Sequence, residues 1–308
     1  MFEQTKRVLV LMSTYDGERY LREQINSILA QEGVKVHLLV RDDGSKDNTC
    51  LILDEYSQRY NNIDVVKADN VGFVKSFSKL IEMAQDYPIH ADYFAFSDQD
   101  DVWMPKKLKI AVEYLSKIDQ DKPLLFSSNS IYVDENMKEL GLFHKEEPYR
   151  TKENVMIYPT EQGCSMVFNI NAIKLYNFHK PNISWHDRWM VFICNFMGEM
   201  MYCHEPLFYY RLHGDNTLGD QLTLRKRIHN NFDIIVNNTR MEMRMIEEFY
   251  YSFEQNLTSS DVASIKVYLD YRKSIINKIA LMISPKFQLS LSFWNRLRKT
   301  ILVIINRL

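Results

Sequence analysis

The first 130 residues alternate short apolar runs with segments whose apolar residues recur at helical spacing. Such alternation favours βαβ units and a mostly parallel sheet. Right-handed crossovers place the carboxyl ends of these strands along one edge, where ligands of open α/β sheets bind. The runs that predict strands are VLVLM (8–12), VHLLV (36–40), IDVVK (63–67), YFAFS (93–97) and LLFSS (124–128).

A polar cluster follows each of the first four predicted strands. In chain order the clusters are STYDGE, RDDGSKDNT, ADNVG and SDQDD. Because the strands are predicted to be parallel, we expect the four clusters to converge on one edge of the sheet. That edge is therefore the predicted ligand site.

The fourth cluster places three carboxylates, Asp98, Asp100 and Asp101, directly after an apolar run. Carboxylates this close repel one another and lose hydration at a strand end, so they need a positive partner. Asp98 and Asp100 can turn toward one hard divalent cation, Mg²⁺ or Mn²⁺, whose preferred ligands are oxygens. The alternative is a solvated turn in which Asp101 caps the helix that Pro105 opens, and this accounts for one carboxylate only.

The second cluster and the glycines bear on nucleotide binding. Asp42 can accept a hydrogen bond from a base N–H or a ribose hydroxyl, while Asp43 and Ser45 orient the turn. The nine glycines of the chain form neither GxGxxG nor a P-loop. A bound diphosphate would then depend on the metal, with help from Lys75 or Arg211.

Composition limits the possible partners and location. Residues 221–308 carry 14 Lys and Arg against 7 Asp and Glu, whereas residues 1–220 carry 24 against 33. An acidic body disfavours nucleic acid as a partner. The four cysteines lack metal-ligand spacing, which predicts reduced thiols in the cytosol. No apolar run reaches the ~18 residues of a membrane-spanning helix.

Taken together, the motifs resemble those of family 2 nucleotide-sugar glycosyltransferases, most closely the bacterial rhamnosyltransferases of polysaccharide biosynthesis. The resemblance implies a GT-A fold over 1–220, an α/β, Rossmann-like, mostly parallel sheet flanked by helices. Residues 221–308 are predicted to form a helical C-terminal extension. The motifs that carry the similarity are VLVLMSTYDGERYLREQINSILAQ, VRDDGSKDNT, DNVGF, FSDQDDVWMPKKL, EQGCSMVFN, SWHDRWM and YRLHGDNT.

The resemblance also implies donor and metal contacts. Asp98 would contact ribose or sugar and join Asp100 in holding Mg²⁺ or Mn²⁺. His213 would add a metal or diphosphate contact, although a lone His near Arg211 is often a satisfied loop residue. Asp16 departs from the family, which more often has Asn at that position. The residues predicted to bind the donor are Thr14, Tyr15, Asp42, Asp43, Lys75, Asp98 and Arg211.

Asp187 in SWHDRWM matches the family's general base, which takes the proton from the attacking acceptor hydroxyl in inverting transfer. The alternative for Asp187 is an ion pair with Arg188. Trp185 and Trp189 are weaker candidates for stacking on an acceptor sugar. Processive members carry Gln-x-x-Arg-Trp, and Trp185 stands where that Gln would be, so single-sugar transfer is predicted.

The segment 293–308 predicts an amphipathic helix. A basic amphipathic helix favours peripheral binding to the cytoplasmic membrane face. The alternative is packing on the body of the protein or on a second subunit, which would make an oligomer. The predicted apolar face holds Trp294, Leu297, Ile301, Ile305 and Leu308, and Arg296, Lys299 and Arg307 fall roughly opposite.

The predicted function is an inverting, metal-dependent glycosyltransferase that moves one sugar from a nucleoside diphosphate donor, dTDP-rhamnose or a UDP-sugar. The resemblance implies a lipid-linked or oligosaccharide acceptor in cell-surface polysaccharide biosynthesis. A nucleotidyltransferase is one alternative, but it would normally need a Gly/Arg/Lys-rich phosphate loop after the first strand. A non-catalytic sugar-binding scaffold is the other, and the full set of carboxylates argues against it.

Overall fold

The structure is a computed structural model, and it describes residues 5–157, 161–178, 183–214, 243–287 and 293–306. The end of the YRLHGDNT motif from residue 215, and residues 221–242 and 288–292 of the predicted extension, lie outside the described residues.

All five predicted strands are present, and further short strands complete one mixed sheet. The strands are β1 (Arg7–Thr14), β2 (Lys35–Asp42), β3 (Ile63–Lys67), β4 (Tyr93–Ser97), β5 (Val102–Trp103), β6 (Leu124–Val133), β7 (Glu139–Leu142), β8 (Val167–Phe168) and β9 (Glu199–Arg211). Within the described residues their order is β3-β2-β1-β4-β8-β6-β9-β5, and β7 pairs with β6.

The N-terminal half of the sheet is parallel, as predicted. β1 lies between β2 and β4, and β2 pairs with β3, all in parallel. The register sets Thr14 opposite Asp42 and Met12 opposite Ser97, so the carboxyl ends of three strands reach the same edge. The polar clusters after these strands therefore meet, which confirms their expected convergence on one edge of the sheet.

The sheet becomes mixed beyond β4. β8 pairs antiparallel with both β4 and β6, whereas β6 and β9 run parallel. β5 pairs antiparallel with β9, with Val102 opposite Tyr209. Because β5 directly follows the three carboxylates, this pairing brings the end of β9 back beside them.

The helices predicted between the first strands are also present. The helices are α1 (Leu21–Leu29), α2 (Thr49–Arg59), α3 (Phe73–Gln85), α4 (Lys107–Leu115), α5 (Lys152–Ile157), α6 (Ile170–Phe178), α7 (His186–Met197), α8 (243–253), α9 (Ser259–Leu269), α10 (Ile275–Ile283) and α11 (Phe293–Ile304).

The sheet is covered on both faces, so successive residues of β1 enter two different cores. Val8 and Val10 pack with α1, α2 and α4, while Leu9 and Leu11 pack with α3, α6 and α7. A strand buried on both faces reads as a continuous apolar run, as VLVLM does. Side chains from α8 to α11 join the second core, so the C-terminal helices share the body's hydrophobic interior.

Helix α11 packs in the opposite sense to its sequence pattern. Lys299 and Val303 are buried, whereas Leu297, Ile301 and Ile305 are exposed. The side chains of Trp294, Arg307 and Leu308 lie outside the described residues. Among the helices that the structure describes, none has the length and apolar character needed to cross a membrane.

Candidate active site

Asp42 organises the turn that follows β2. Its carboxylate is 1% exposed and accepts hydrogen bonds from Thr14 Oγ1 at 3.0 Å, Ser45 N at 2.9 Å and Cys50 Sγ at 3.3 Å. Burial alone would raise the pKa of Asp42, but hydrogen bonds from Ser45, Cys50 and Thr14 outweigh it and lower the pKa below its usual range. The carboxylate is thus ionised, and it fixes the surface that the turn presents at the site edge.

Asp43 holds the loop after β3. It pairs with the buried Arg41 and accepts hydrogen bonds from Val71 N at 2.9 Å and Gly72 N at 2.8 Å. Gly72 has φ +85°, a conformation that favours glycine. Asp43 is buried and its two oxygens serve these partners, which agrees with the predicted orienting role, and its contact with the donor stays a prediction.

Tyr15 and Gln99 join the loops after β1 and β4. Tyr15 N donates to Gln99 Oε1 at 2.9 Å, and Gln99 Nε2 donates to Tyr15 O at 3.0 Å. The Tyr15 ring is exposed beside this paired backbone. An aromatic ring in that position can stack on a nucleobase. Gln99 is the middle residue of the Asp98-Gln99-Asp100 motif, and the sequence analysis gave it no role.

The three carboxylates after β4 lie together but in different surroundings. Asp100 Oδ2 is 2.8 Å from His213 Nε2. Asp101 is buried, Arg211 N donates to its Oδ1 at 3.4 Å, and its Oδ2 has no hydrogen-bond partner among the described residues. Burial and the neighbouring Asp100 carboxylate raise the pKa of Asp98 to about 7 and that of Asp101 well above its usual range. Since Lys106 is the N-cap of α4, the capping alternative for Asp101 is wrong.

A buried lysine, Lys107, which was not predicted from the sequence, lies beside the three carboxylates. Lys107 Nζ donates to Cys164 O at 2.6 Å and lies 3.4 Å from the centroid of the Trp103 ring. Burial lowers the pKa of Lys107 to about 7, and its charge opposes the rise in the pKa of Asp98 and Asp101. Part of the positive charge that the carboxylates need is therefore built into the protein.

Arg211 supports the acid loop from behind. Its guanidinium is buried and donates to Asp100 O at 2.9 Å, Glu135 O at 3.2 Å and the Glu23 carboxylate. These bonds fix the backbone of the motif, so the prediction that Arg211 contacts the donor diphosphate is corrected to a supporting role. Lys75 is exposed in the first turn of α3, and its contact with a diphosphate stays a prediction.

The residues at the rim of this cluster fit a hard divalent cation. Asp98 and Asp100 are half-buried and offer carboxylate oxygens, and His213 stands beside Asp100. Asp98, Asp101 and Cys164 also place one ligand atom each within 4.8 Å of one another. That second group suits Mg²⁺ or Mn²⁺ less well, because burial raises the pKa of the Cys164 thiol well above its usual range and Lys107 lies beside it.

Asp187 lies in the first turn of α7 beside the same cluster. A Cβ atom on Gly163 would lie 3.3 Å from Asp187 Oδ2, so the carboxylate packs against the turn that carries Cys164. Its charge contributes to the raised pKa of Asp98. Arg188 donates instead to the backbone carbonyls of residues 155 and 156, at 3.1 and 3.0 Å, so the ion-pair alternative is wrong.

The residue before Asp187 is a buried histidine that the sequence analysis also missed. The His186 ring stacks on Phe77 with centroids 4.1 Å apart and meets Phe96 edge-on at 5.1 Å. Burial lowers the pKa of His186 to about 4, so the ring is neutral at physiological pH. His186 therefore anchors the start of α7 in the core and fixes the position from which Asp187 projects.

The two predicted acceptor tryptophans have different environments. Trp185 is half-buried and packs on the exposed Phe73 ring with centroids 5.7 Å apart. Trp189 is fully buried against Phe249 and Phe253. The prediction that Trp189 contacts an acceptor is therefore wrong, because α7 turns it into the second core. Trp185, which lies two residues before Asp187 in the chain, forms an aromatic pair with Phe73.

Residues 9–176, more than half of the chain, match the family model described as Glycosyl transferase family 2. The chain is 28% identical over 230 residues to the dTDP-rhamnosyl transferase RfbG of Shigella flexneri, an alignment that covers 70% of this chain and 76% of that protein. It is 24% identical over 290 residues to the glycosyltransferase RT0329 of Rickettsia typhi, whose function is uncharacterised, covering 91% of this chain and 85% of that protein.

Solved glycosyltransferase structures share the fold. S. aureus TarS 1–349 in complex with UDP-GlcNAc superposes with a TM-score of 0.59 at 15% identity, covering 97% of this chain and 80% of that chain. The mannosyltransferase PcManGT of Pyrobaculum calidifontis, in complex with GDP-Man and Mn²⁺, gives a TM-score of 0.53 at 12% identity, covering 98% and 87%. The predicted GT-A fold is confirmed by this likeness.

Proposed function

This chain belongs to glycosyl transferase family 2, and from that premise we propose that it moves one sugar, with inversion, from a nucleoside diphosphate donor to a saccharide acceptor. Rhamnose from dTDP-rhamnose is the first candidate, supported by the similarity to a dTDP-rhamnosyl transferase. UDP-sugars are the second, supported by the fold shared with TarS, which was solved with UDP-GlcNAc. The family match supports a glycosyltransferase over a nucleotidyltransferase or a scaffold.

The donor's nucleoside would lie against the turns after β1 and β2. The exposed Tyr15 ring would stack on the base, and the turn held by Thr14 and Asp42 would face the ribose. Asp98 would accept a hydrogen bond from a ribose or sugar hydroxyl. Lys75, exposed at the start of α3, would contribute positive charge near the diphosphate.

Asp98, Asp100 and His213 would hold Mg²⁺ or Mn²⁺ at the rim. Bound there, the cation would supply positive charge for the diphosphate as it leaves. Asp100 would keep its position because Arg211 fixes the backbone carbonyl of that residue at 2.9 Å. The buried Lys107 would oppose the rise in the pKa of Asp98 and Asp101 and so favour the ionised carboxylates that a metal needs.

Asp187 would act as the general base. Its carboxylate accepts the proton of an acceptor hydroxyl while that oxygen forms a bond to the anomeric carbon and the bond to the donor phosphate oxygen breaks. General base catalysis of this kind contributes about 10²–10⁴-fold. The observation that carries the proposal is the position of Asp187, against Gly163 and within electrostatic range of Asp98.

The acceptor sugar would stack on Trp185 and Phe73, the aromatic pair beside Asp187. Trp185 stands where processive members carry Gln, which supports release after one transfer. The acceptor would be a lipid-linked saccharide or an oligosaccharide of a cell-surface polysaccharide, met at the cytoplasmic face of the membrane. The division into a transferase domain, 1–220, and a helical extension, 221–308, belongs to the same proposal.

The first test is a calorimetric titration of dTDP and UDP into the protein with Mn²⁺ or Mg²⁺, repeated with EDTA and with Asp100→Ala. We expect binding that requires the metal and is lost in the variant, with the tighter nucleotide indicating the donor. Binding that persists in EDTA or in Asp100→Ala would contradict the metal site.

The base is tested separately by Asp187→Asn. We expect the variant to bind nucleotide and metal as the wild type does, while transfer falls by about 10²-fold or more. The matched control is Asp16→Asn, which changes an exposed carboxylate near the donor side without touching α7. Transfer by Asp187→Asn at the wild-type rate would show that the base is another group.

A further inference from the structure

Helix α11 buries a lysine and exposes its isoleucines. Lys299 and Val303 face the body of the protein, and Lys299 Nζ donates to Phe287 O at 2.7 Å. Ile301 and Ile305 face outward. A helix packed for stability alone would turn its apolar side inward, because burying aliphatic side chains stabilises the folded state. The outward side of α11 therefore lacks a partner within the described residues.

Helix α10, which the sequence analysis did not single out, shows the same feature and packs beside α11. Leu281 is its buried residue, and the rest of its aliphatic side is largely open. We call the exposed aliphatic side chains of the two helices the isoleucine face. Its members, between 39% and 78% exposed, are Ile275, Ile276, Ile279, Ile283, Leu297, Ile301, Ile304 and Ile305. Apolar exposure on this scale marks an interaction surface.

The segment that carries the isoleucine face is basic in sequence, with Lys299 buried and Lys286 3.6 Å from the Glu153 carboxylate. Residues 271–308 hold eight Lys and Arg and no Asp or Glu. Arg272, Lys273 and Lys286 are exposed. In a two-fold dimer through this face the basic segment would meet itself, and like charges oppose such a contact. An anionic lipid surface is complementary to both features, since its headgroups attract basic residues and its interface accepts apolar side chains.

We propose that the isoleucine face docks the protein on an anionic phospholipid bilayer, with α10 and α11 lying in the interfacial plane. The described helices are too short or too polar to span a bilayer, which agrees with docking on its surface. The docking itself does not depend on the proposed function. Only its purpose does, which is to bring the active site to a lipid-linked acceptor. The proposal adds α10 to the membrane contact that the sequence predicts for residues 293–308.

The test is flotation of the full chain with vesicles of phosphatidylcholine, with and without one-third phosphatidylglycerol, in the absence of donor and acceptor. We expect the wild type to float with the anionic vesicles and to remain in solution with phosphatidylcholine alone. Ile276→Asn/Ile279→Asn on α10 and Ile301→Asn/Ile305→Asn on α11 should each reduce the bound fraction about tenfold or more. All four side chains are exposed, so we expect both variants to fold.

The matched control is Leu51→Asn/Leu140→Asn, which removes two equally exposed leucines from the body and should float like the wild type. If the wild type does not bind anionic vesicles, or the α10 variant floats undiminished, the proposal is wrong. Sedimentation that finds a dimer broken by Ile301→Asn/Ile305→Asn would overturn it in favour of a second copy. Nucleotide binding measured on the same samples reports on the proposed function independently.

Discussion

Lys107 and Lys299 are both buried, and each donates to a backbone carbonyl, Cys164 O at 2.6 Å and Phe287 O at 2.7 Å. Lys107 lies beside the carboxylates of the site, whereas the cation next to Lys299 is Arg296, whose charge helps to lower the pKa of Lys299. One buried lysine balances charge that the site requires. The other permits a helix to keep its apolar side outside.

The largest expected effect comes from Lys107→Met. Without Lys107, the charge that opposes the rise in the pKa of Asp98 and Asp101 is lost and Cys164 O loses its buried donor, so we expect about 3–5 kcal/mol less free energy of unfolding. The carboxylates should also take up protons more readily, so metal-dependent nucleotide binding should weaken. Urea denaturation and calorimetric titration measure the two effects. A loss below about 1 kcal/mol would contradict the charge-balancing role.

The orientation of α11 is tested by two substitutions of the same kind on its two sides. Val303→Asn buries an amide in the core, and we expect about 2–4 kcal/mol less free energy of unfolding. Ile301→Asn changes an exposed side chain and should stay within about 0.5 kcal/mol of the wild type. Equal losses, or the reverse order, in chemical denaturation would mean that α11 packs by its apolar side.

The coupling between Lys107 and the acids can be measured by a double-mutant cycle. Asp101→Asn removes the buried charge that Lys107→Met strands, so the double variant should be more stable than the sum of the single losses predicts. We expect a coupling free energy of about 1–3 kcal/mol. The same cycle between Lys299→Met and Asp101→Asn is the control, and it should be additive within error.

Lys299→Met should have the smallest effect at pH 7, from neutral to about 1 kcal/mol more stable. Burial and Arg296 lower the pKa of Lys299 from 10.5 to about 8, so between these values the unfolded chain holds a proton that the folded chain has lost. The stability of the wild type relative to Lys299→Met should therefore rise as the pH increases from 8 to 10.5. Denaturation at pH 7 and pH 9.5 checks the sign; a fall would contradict it.

The first four helices and the strands β1 to β4 and β6 could be predicted because their apolar patterns are clear and turn residues follow the first four strands. The convergence of the polar clusters followed from parallel connections. The sequence pattern could not separate Trp185 from Trp189, because both lie near the start of one helix and only its packing against α8 decides which is buried. The supporting role of Arg211 could not be predicted for a related reason, since its partners lie on loops distant in sequence.

Lys107 could have been found from the sequence, because it lies at a core-facing position in the apolar pattern of α4. It lies four and eight residues before Ala111 and Leu115, on the side of α4 that faces the core. The three carboxylates required a cation, and a lysine on a buried helical stripe beside them was a candidate. The orientation of α11 could not be predicted in this way. An amphipathic pattern identifies the apolar and polar sides of a helix but does not show which side packs against the rest of the protein.

Gln99 fixes the distance between the loops that follow β1 and β4. Its amide bonds both the N–H and the carbonyl of Tyr15, and a Cβ atom on Gly17 would come within 2.3 Å of its Oε1. The loop that would grip the base and the loop that would grip the diphosphate are thus held one side chain apart. The distance between the proposed base contact and the proposed diphosphate contact would then be fixed by Gln99. A longer loop on either side would prevent one donor from making both contacts.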